Sequence, residues 1–182
     1  MKVTATKIPD VLLVHSPVYS DSRGFFTEVF RGDMFAQVGL PTEFVQDNHS
    51  RSARHVLRGL HYQLQQPQGK LVRAVSGIIF DVAVDMRQAS ATFGQWVGTR
   101  MEAGDGLQLW IPPGFAHGFV VLSEQADVSY KCTAIYHPAS ECTLRWNDPD
   151  VGIDWPLPPG VEPLLSPKDA VAHALGSASR YA

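Results

Sequence analysis

Ile78-Ile79-Phe80-Asp81-Val82-Ala83-Val84-Asp85 is the stretch that decides the fold class of this chain. Ile78, Phe80, Val82 and Val84 fall on one side and the two aspartates on the other, a period of two that belongs to a β-strand and not to one face of a helix. Similar runs recur at residues 11–15, 24–30, 44–49, 57–63, 71–76, 96–100, 107–111, 119–122 and 128–135, most of them separated by Gly, Pro, Asn or Asp clusters. About ten short strands so spaced, with no intervening helix long enough for a crossover, indicate an antiparallel sandwich or barrel. Helix is expected in two places only. Residues 33–38 lead to Gly39 as a C-cap. Ser166-Pro167-Lys168-Asp169 joins a good N-cap, a first-turn proline and an acidic N3 residue, opening a helix that Ala170, Val171, Ala174 and Leu175 continue to Gly176. The proline-rich residues 155–163 read as an extended connection around the barrel.

Composition agrees with a single domain, residues 1–182. The chain is 45% hydrophobic and 18% charged, with 15 basic and 18 acidic residues and a formal net charge of −3. A chain of this size removes roughly 70% of its unfolded surface from water, so it needs no staples, and disordered, collagen-like and coiled-coil classes are excluded. The mild acidity argues against a nucleic-acid binder, which needs a broad basic face, but not against a small anionic ligand. Cys132 and Cys142 form no CxxC and have no histidine at ligand spacing, so buried free thiols are expected. The apolar run Val11 to Val14 is too short for a signal peptide or a membrane span, and a soluble, cytoplasmic protein is expected.

Gly106, Pro112, Gly114 and His117 describe a strand, a tight turn and a histidine on the returning strand, a pattern that resembles the second signature of the cupin superfamily of small jelly rolls. Metal-binding cupins join that histidine to a His-x-His on an earlier strand. Here the strand reads Arg58-Gly59-Leu60-His61-Tyr62-Gln63, with Gln63 in the second ligand position and the cation Lys70 downstream. Catalytic zinc and iron usually take three protein ligands, so no metal and no cofactor is expected. A metal-dependent cupin built on His61 and His117 stays as a competing class. The residue types His61, Lys70, Tyr130 and Asp169 together suit enolisation beside a ketone: a base, an oxyanion stabiliser, an acid and an orienting carboxylate. Each also has a plain structural reading, since lone histidines are usually structural, Tyr130 can fill a wall and Asp169 can cap its helix.

Six segments occur in order: Phe44-Val45-Gln46-Asp47-Asn48-His49-Ser50, Leu57-Arg58-Gly59-Leu60-His61, Gly69-Lys70-Leu71-Val72-Arg73, Phe80-Asp81-Val82-Ala83-Val84-Asp85, Pro113-Gly114-Phe115-Ala116-His117-Gly118-Phe119 and Ser166-Pro167-Lys168-Asp169. Together with Ser22-Arg23-Gly24-Phe25-Phe26 and Trp146-Asn147-Asp148-Pro149 they closely resemble the dTDP-4-dehydrorhamnose 3,5-epimerase family. The resemblance implies an all-β, cupin-type double-stranded β-helix with short peripheral helices. It implies a dTDP-sugar substrate, dTDP-4-dehydro-6-deoxy-D-glucose, whose C4 ketone acidifies the C3 and C5 protons. His61 is then the base, Asp169 its partner, Tyr130 the acid on the opposite ring face and Lys70 the stabiliser of the enolate oxygen, with Asp81 a supporting partner behind Lys70 or a solvated strand position. Arg23, Glu28, Gln46, Asp47, Asn48, Arg58, His117, Glu141 and Lys168 become substrate contacts, and Tyr136 stacks on thymine. For each arginine the plain alternative is a surface salt bridge, and for Tyr136 it is core packing. Family members resemble homodimers with an exchanged N-terminal strand, so Arg23, Phe25, Phe26 and Glu28 are expected to complete a neighbour's site. Enzymes inverting C3 alone, 3,4-ketoisomerases and a non-catalytic sugar-nucleotide binder remain as alternatives. The tail after Asp169 is expected to be remote from the chemistry.

Overall fold

The computed structural model describes all residues, Met1–Ala182. Its strands are β1 (Lys2–Ala5), β2 (Leu12–His15), β3 (Val18–Asp21), β4 (Gly24–Thr27), β5 (Gln46–Ala53), β6 (Leu57–Gln63), β7 (Lys70–Ser76), β8 (Ile78–Asp85), β9 (Trp96–Glu102), β10 (Leu107–Ile111), β11 (Phe115–Val121), β12 (Gln125–Cys132) and β13 (Glu141–Thr143), with helices α1 (Gly32–Gln37) and α2 (Pro167–Ala170). Two antiparallel sheets face each other, one in the order β1-β2-β10-β7-β12-β5 and one in the order β13-β6-β11-β8-β9, and β3 pairs only with β4 in a separate hairpin. The architecture is therefore the all-β, cupin-like jelly roll. No helix is long and apolar enough to cross a membrane.

Three apolar layers hold it. Val72, Ala74, Leu109 and Val128 of the first sheet meet Ile79, Ala83, Met101, Phe119 and Val121 of the second between the sheets. Val82, Val84, Leu60, Tyr62 and Val120 form the outer face of the second sheet, which the chain after β13 covers with Leu144, Val151, Trp155, Leu175 and Ala178. Phe35 of α1 and Leu40 cover Val14, Leu71 and Trp110 on the outer face of the first sheet. This layering corrects the simple reading of β8. Its apolar even-numbered residues face the outer strap, whereas the odd-numbered face turns inward, leaving Asp81 and Asp85 both fully buried. Neither aspartate is a solvated position.

Boundaries move where backbone pairing, not side-chain pattern, decides them. Strand β5 runs to Ala53 because its eight residues match β12 rung for rung, from Gln46↔Cys132 to Ala53↔Gln125. The short strands β1, β3 and β13 carry too little alternation to be read from sequence. The expected helix to Gly176 stops at Ala170. Beyond it the chain turns to satisfy a sheet edge: Arg145 N donates to His173 O at 2.8 Å and His173 N to Thr143 O at 3.1 Å. Both cysteines are free; Cys132 is buried and Cys142 half-buried.

Candidate functional site

A cleft of about 320 Å³ opens between the sheets, lined among others by Gln46, Asn48, Arg58, His61, Lys70, His117, Tyr130, Tyr136, Glu141 and Lys168. Its floor depends on an irregularity in β6. Along β11, His117 and Phe119 are two residues apart, but their partners His61 and Arg58 are three apart, so β6 carries one extra residue. This β-bulge turns Arg58 and His61 to the same inner face, which strict alternation forbids. Gly59 (φ +121°) permits it: a Cβ there would lie 2.6 Å from Gly118 Cα and 2.7 Å from His117 O.

At the floor His61 Nε2 lies 2.6 Å from Asp169 Oδ1. The carboxylate accepts, so the shared proton sits on Nε2 and Nδ1 is left with the lone pair. Asp169 is buried, and its backbone N–H donates to Ser166 Oγ, the N-cap of α2. Burial opposes its charge, but the bonds from His61 and Ser166 and the nearby Lys168 outweigh that and hold its carboxyl below the ordinary range. Helix α2 thus places both Lys168 and Asp169; Ser166 supplies the cap, and the Asp169 carboxylate bonds His61 and not the helix end.

Lys70 is buried, and burial pushes its ammonium below the usual lysine value, with Cys132, Asp81 and Glu141 pulling back. Its Nζ donates to His61 O at 3.3 Å. Asp81 turns not to Lys70 but to His117, whose Nε2 lies 3.0 Å from Oδ2. Burial also lowers His117, against the pull of Asp81. Tyr130 is half-buried on β12, in the sheet opposite His61, and burial raises its phenol, keeping it protonated at neutral pH. His117 and Tyr130 make an edge-on contact at 6.2 Å between ring centres.

Around the rim Tyr136 Oη donates to Glu141 Oε2 (2.8 Å), and Lys168 Nζ donates to Glu141 Oε1 (2.7 Å). Tyr136 is 45% exposed, so core packing does not explain it. Arg58 donates through Nε to Ser52 Oγ at 2.9 Å and has no carboxylate partner, so it is not a surface salt bridge either.

Six expected site residues do not line this cleft: Asp169, which reaches it only through His61, and five that lie away from it. Asp47 points to the opposite face of β5 from Gln46 and Asn48, where Lys131 Nζ donates to its Oδ2 at 2.8 Å. Arg23, Phe25, Phe26 and Glu28 belong to or follow the β3–β4 hairpin, which pairs with neither sheet. Arg23 is ion-paired with Asp21 of the same hairpin. Sequence reading missed Ser50, Gln63, Gln68 and Phe119, which line the same cleft. Ser50 continues the period-two row Gln46-Asn48, a detectable signal, and its buried Oγ has no hydrogen-bond partner. No three His, Cys, Asp or Glu side chains come together as a metal-holding group.

Residues 5–177 match the family model described as dTDP-4-dehydrorhamnose 3,5-epimerase. The chain is 56% identical over its full length to the Pseudomonas aeruginosa protein of that name, covering 99% of it. It superposes with a TM-score of 0.93 on the Legionella pneumophila dTDP-6-deoxy-D-glucose-3,5-epimerase solved with dTDP-4-keto-L-rhamnose, at 49% identity and covering 100% of this chain and 98% of that one. A 3'-monoepimerase from Streptomyces bikiniensis, solved with dTDP-quinovose, is similar at 35% identity and a TM-score of 0.88, covering 95% of this chain and 87% of that one.

Proposed function

The chain belongs to the dTDP-4-dehydrorhamnose 3,5-epimerase family and is an isomerase, and from that premise we propose which side chains carry its reaction. The reaction is epimerisation of dTDP-4-dehydro-6-deoxy-D-glucose at C3 and C5 to dTDP-4-dehydro-L-rhamnose. The observation that carries the assignment of roles is the His61–Asp169 pair at 2.6 Å on the cleft floor, facing Tyr130 on the opposite sheet.

His61 Nδ1 takes the proton from the carbon next to the C4 ketone, and the electron pair moves into a C=C–O⁻ enolate. Asp169 stabilises the imidazolium through its charge-assisted bond. The Lys70 ammonium meets the enolate oxygen. Its depressed pKa makes it the easier proton donor, and its burial strengthens its field at that oxygen. Tyr130, protonated, returns a proton to the other ring face, which inverts the centre. Arg58 and Lys168 take the diphosphate, with Gln46, Asn48, His117 and Glu141 as further substrate contacts and Tyr136 as the surface on which thymine stacks. Two copies pair, the β3–β4 hairpin of each bringing Arg23, Phe25, Phe26 and Glu28 to the other's cleft. Support for that pairing is the 58% and 69% exposure of the Phe25 and Phe26 rings within one chain.

Incubation with the substrate in D₂O tests the scheme by NMR of the sugar. Deuterium enters at both C3 and C5, and His61→Asn abolishes both exchanges. Label at C3 alone marks a single-centre epimerase, and full turnover in His61→Asn refutes the base assignment.

A further inference from the structure

The loop after β12 is held by an unusual set of bonds. Thr133 pairs with Gly69 through backbone and hydroxyl. Each of the next four residues then has one backbone group bound by a glutamine side chain. Gln68 Nε2 donates to Ala134 O at 2.8 Å, and Gln63 Nε2 donates to Ile135 O at 3.0 Å. Tyr136 N donates to Gln46 Oε1 at 2.7 Å, and His137 N donates to Gln63 Oε1 at 3.1 Å. Apolar packing does not fix this loop, since Ile135 is 61% exposed and Tyr136 45% exposed. The amides do. Gln63, 3% exposed, gives its second N–H to Gln66 O at 2.7 Å, so both of its donors are occupied by backbone and none is free for a ligand.

We propose that Gln63 and Gln68 are positioning residues for nucleotide recognition, which together with Gln46 lock residues 134–137 so that the Tyr136 ring stands ready at the mouth of the cleft. The proposal rests on the reading of Tyr136 as the thymine platform. The ring is tied at both ends, by Gln46 at its backbone N–H and by Glu141 at its hydroxyl. Ordering it before the ligand arrives removes that cost from binding. This also explains the amide in the second ligand position of the cupin pattern: a primary amide supplies two donors and an acceptor from one end, and an imidazole cannot.

The test uses Gln68→Leu, half-buried at the loop's edge, and Gln63→Met in the full chain, with dTDP as the calorimetric probe. Each raises the dTDP dissociation constant about tenfold, as loss of the one bond that Gln68 makes, or of the two that Gln63 makes, to residues 134–137 predicts. KM rises in parallel while kcat stays within about twofold, because the His61–Asp169 floor is untouched. In a Tyr136→Ala background Gln68→Leu adds no further loss, a non-additivity that a merely structural role would not produce. Unchanged dTDP affinity in Gln68→Leu, losses that add in the double variant, or a fall in kcat at constant KM would each overturn the proposal. Should Gln63→Met fail to fold, Gln68→Leu decides alone. Unaltered affinity in Tyr136→Ala itself would remove the platform, overturning the premise as a separately visible result.

Discussion

Lys70 shows how burial tunes one side chain for its task. Its pKa lies below 10.5 and that of Tyr130 above 10.0, each displaced chiefly by burial. Loss of the Lys70 charge therefore puts an alkaline limb on the rate profile at a pH below the ordinary lysine value. Lys70→Met is expected to lower kcat by about 100- to 1,000-fold, the effect of removing one oxyanion donor, and to abolish that limb. The same shift has a stability consequence. Unfolded Lys70 binds its proton more tightly than folded Lys70, so stability rises with pH between the folded pKa and 10.5, and denaturant titrations of Lys70→Met should lack that slope. Asp169 gives a slope of the same sign in acid: its folded pKa lies below 3.8, so its contribution is complete above that value and disappears as pH falls through the folded pKa. Asp169→Asn should cost about 10- to 100-fold in kcat, with retention of fold checked by circular dichroism. The sequence singled out His61, Lys70, Tyr130 and Asp169 by residue type, and the structure brings His61, Lys70 and Tyr130 to one cleft with Asp169 bonded to His61. That Asp81 takes its hydrogen bond from His117 and acts on Lys70 only through its charge was not readable there, because the two basic groups within its reach differ only in side-chain direction.

At the scale of elements, the bulge in β6 does most to make the site. Without the extra residue at Gly59, Arg58 and His61 would face opposite sides of the sheet. Gly118 on β11 gives it room: a Cβ there would meet Arg58 O at 2.6 Å and Gly59 Cα at 3.1 Å, both backbone. Gly118→Ala is expected to destabilise the protein by about 1–3 kcal/mol, read by urea denaturation, and to depress activity in the surviving folded fraction. The chain after α2 is closer to the chemistry than its sequence suggests. Tyr181 Oη donates to Gln63 O at 2.7 Å and Tyr62 Oη to Ser179 O at 2.6 Å, so this segment braces the strand that carries His61. Tyr181→Phe should lower the melting temperature by a few degrees, consistent with one lost bond of about 1 kcal/mol. Strand positions were legible because alternation is local. The bulge and the early end of α2 were not, because each is set by a backbone partner distant in sequence.

For the whole molecule, three apolar layers leave one aromatic-bearing element, the β3–β4 hairpin, outside any core. Light scattering after gel filtration should give a mass of two chains, and Phe25→Ser with Phe26→Ser should shift it toward one chain while raising KM. A dimer unaffected by these changes would refute the exchange. Residue chemistry and local period are properties of the chain alone, so the sequence by itself determined an all-β sandwich, the set of groups suited to enolisation and the family. Of its 15 basic residues the sequence pointed Arg23, Arg58, Lys70 and Lys168 to one anionic ligand, and within one chain Arg58, Lys70 and Lys168 line the cleft while Arg23 lies away from it. Which face of β8 turns inward, where β6 takes its extra residue, and which glutamines hold the Tyr136 loop were decided only by tertiary structure. These depend on pairings between segments far apart in the chain, where burial on both faces of a sheet erases the polar–apolar contrast that a local pattern can report.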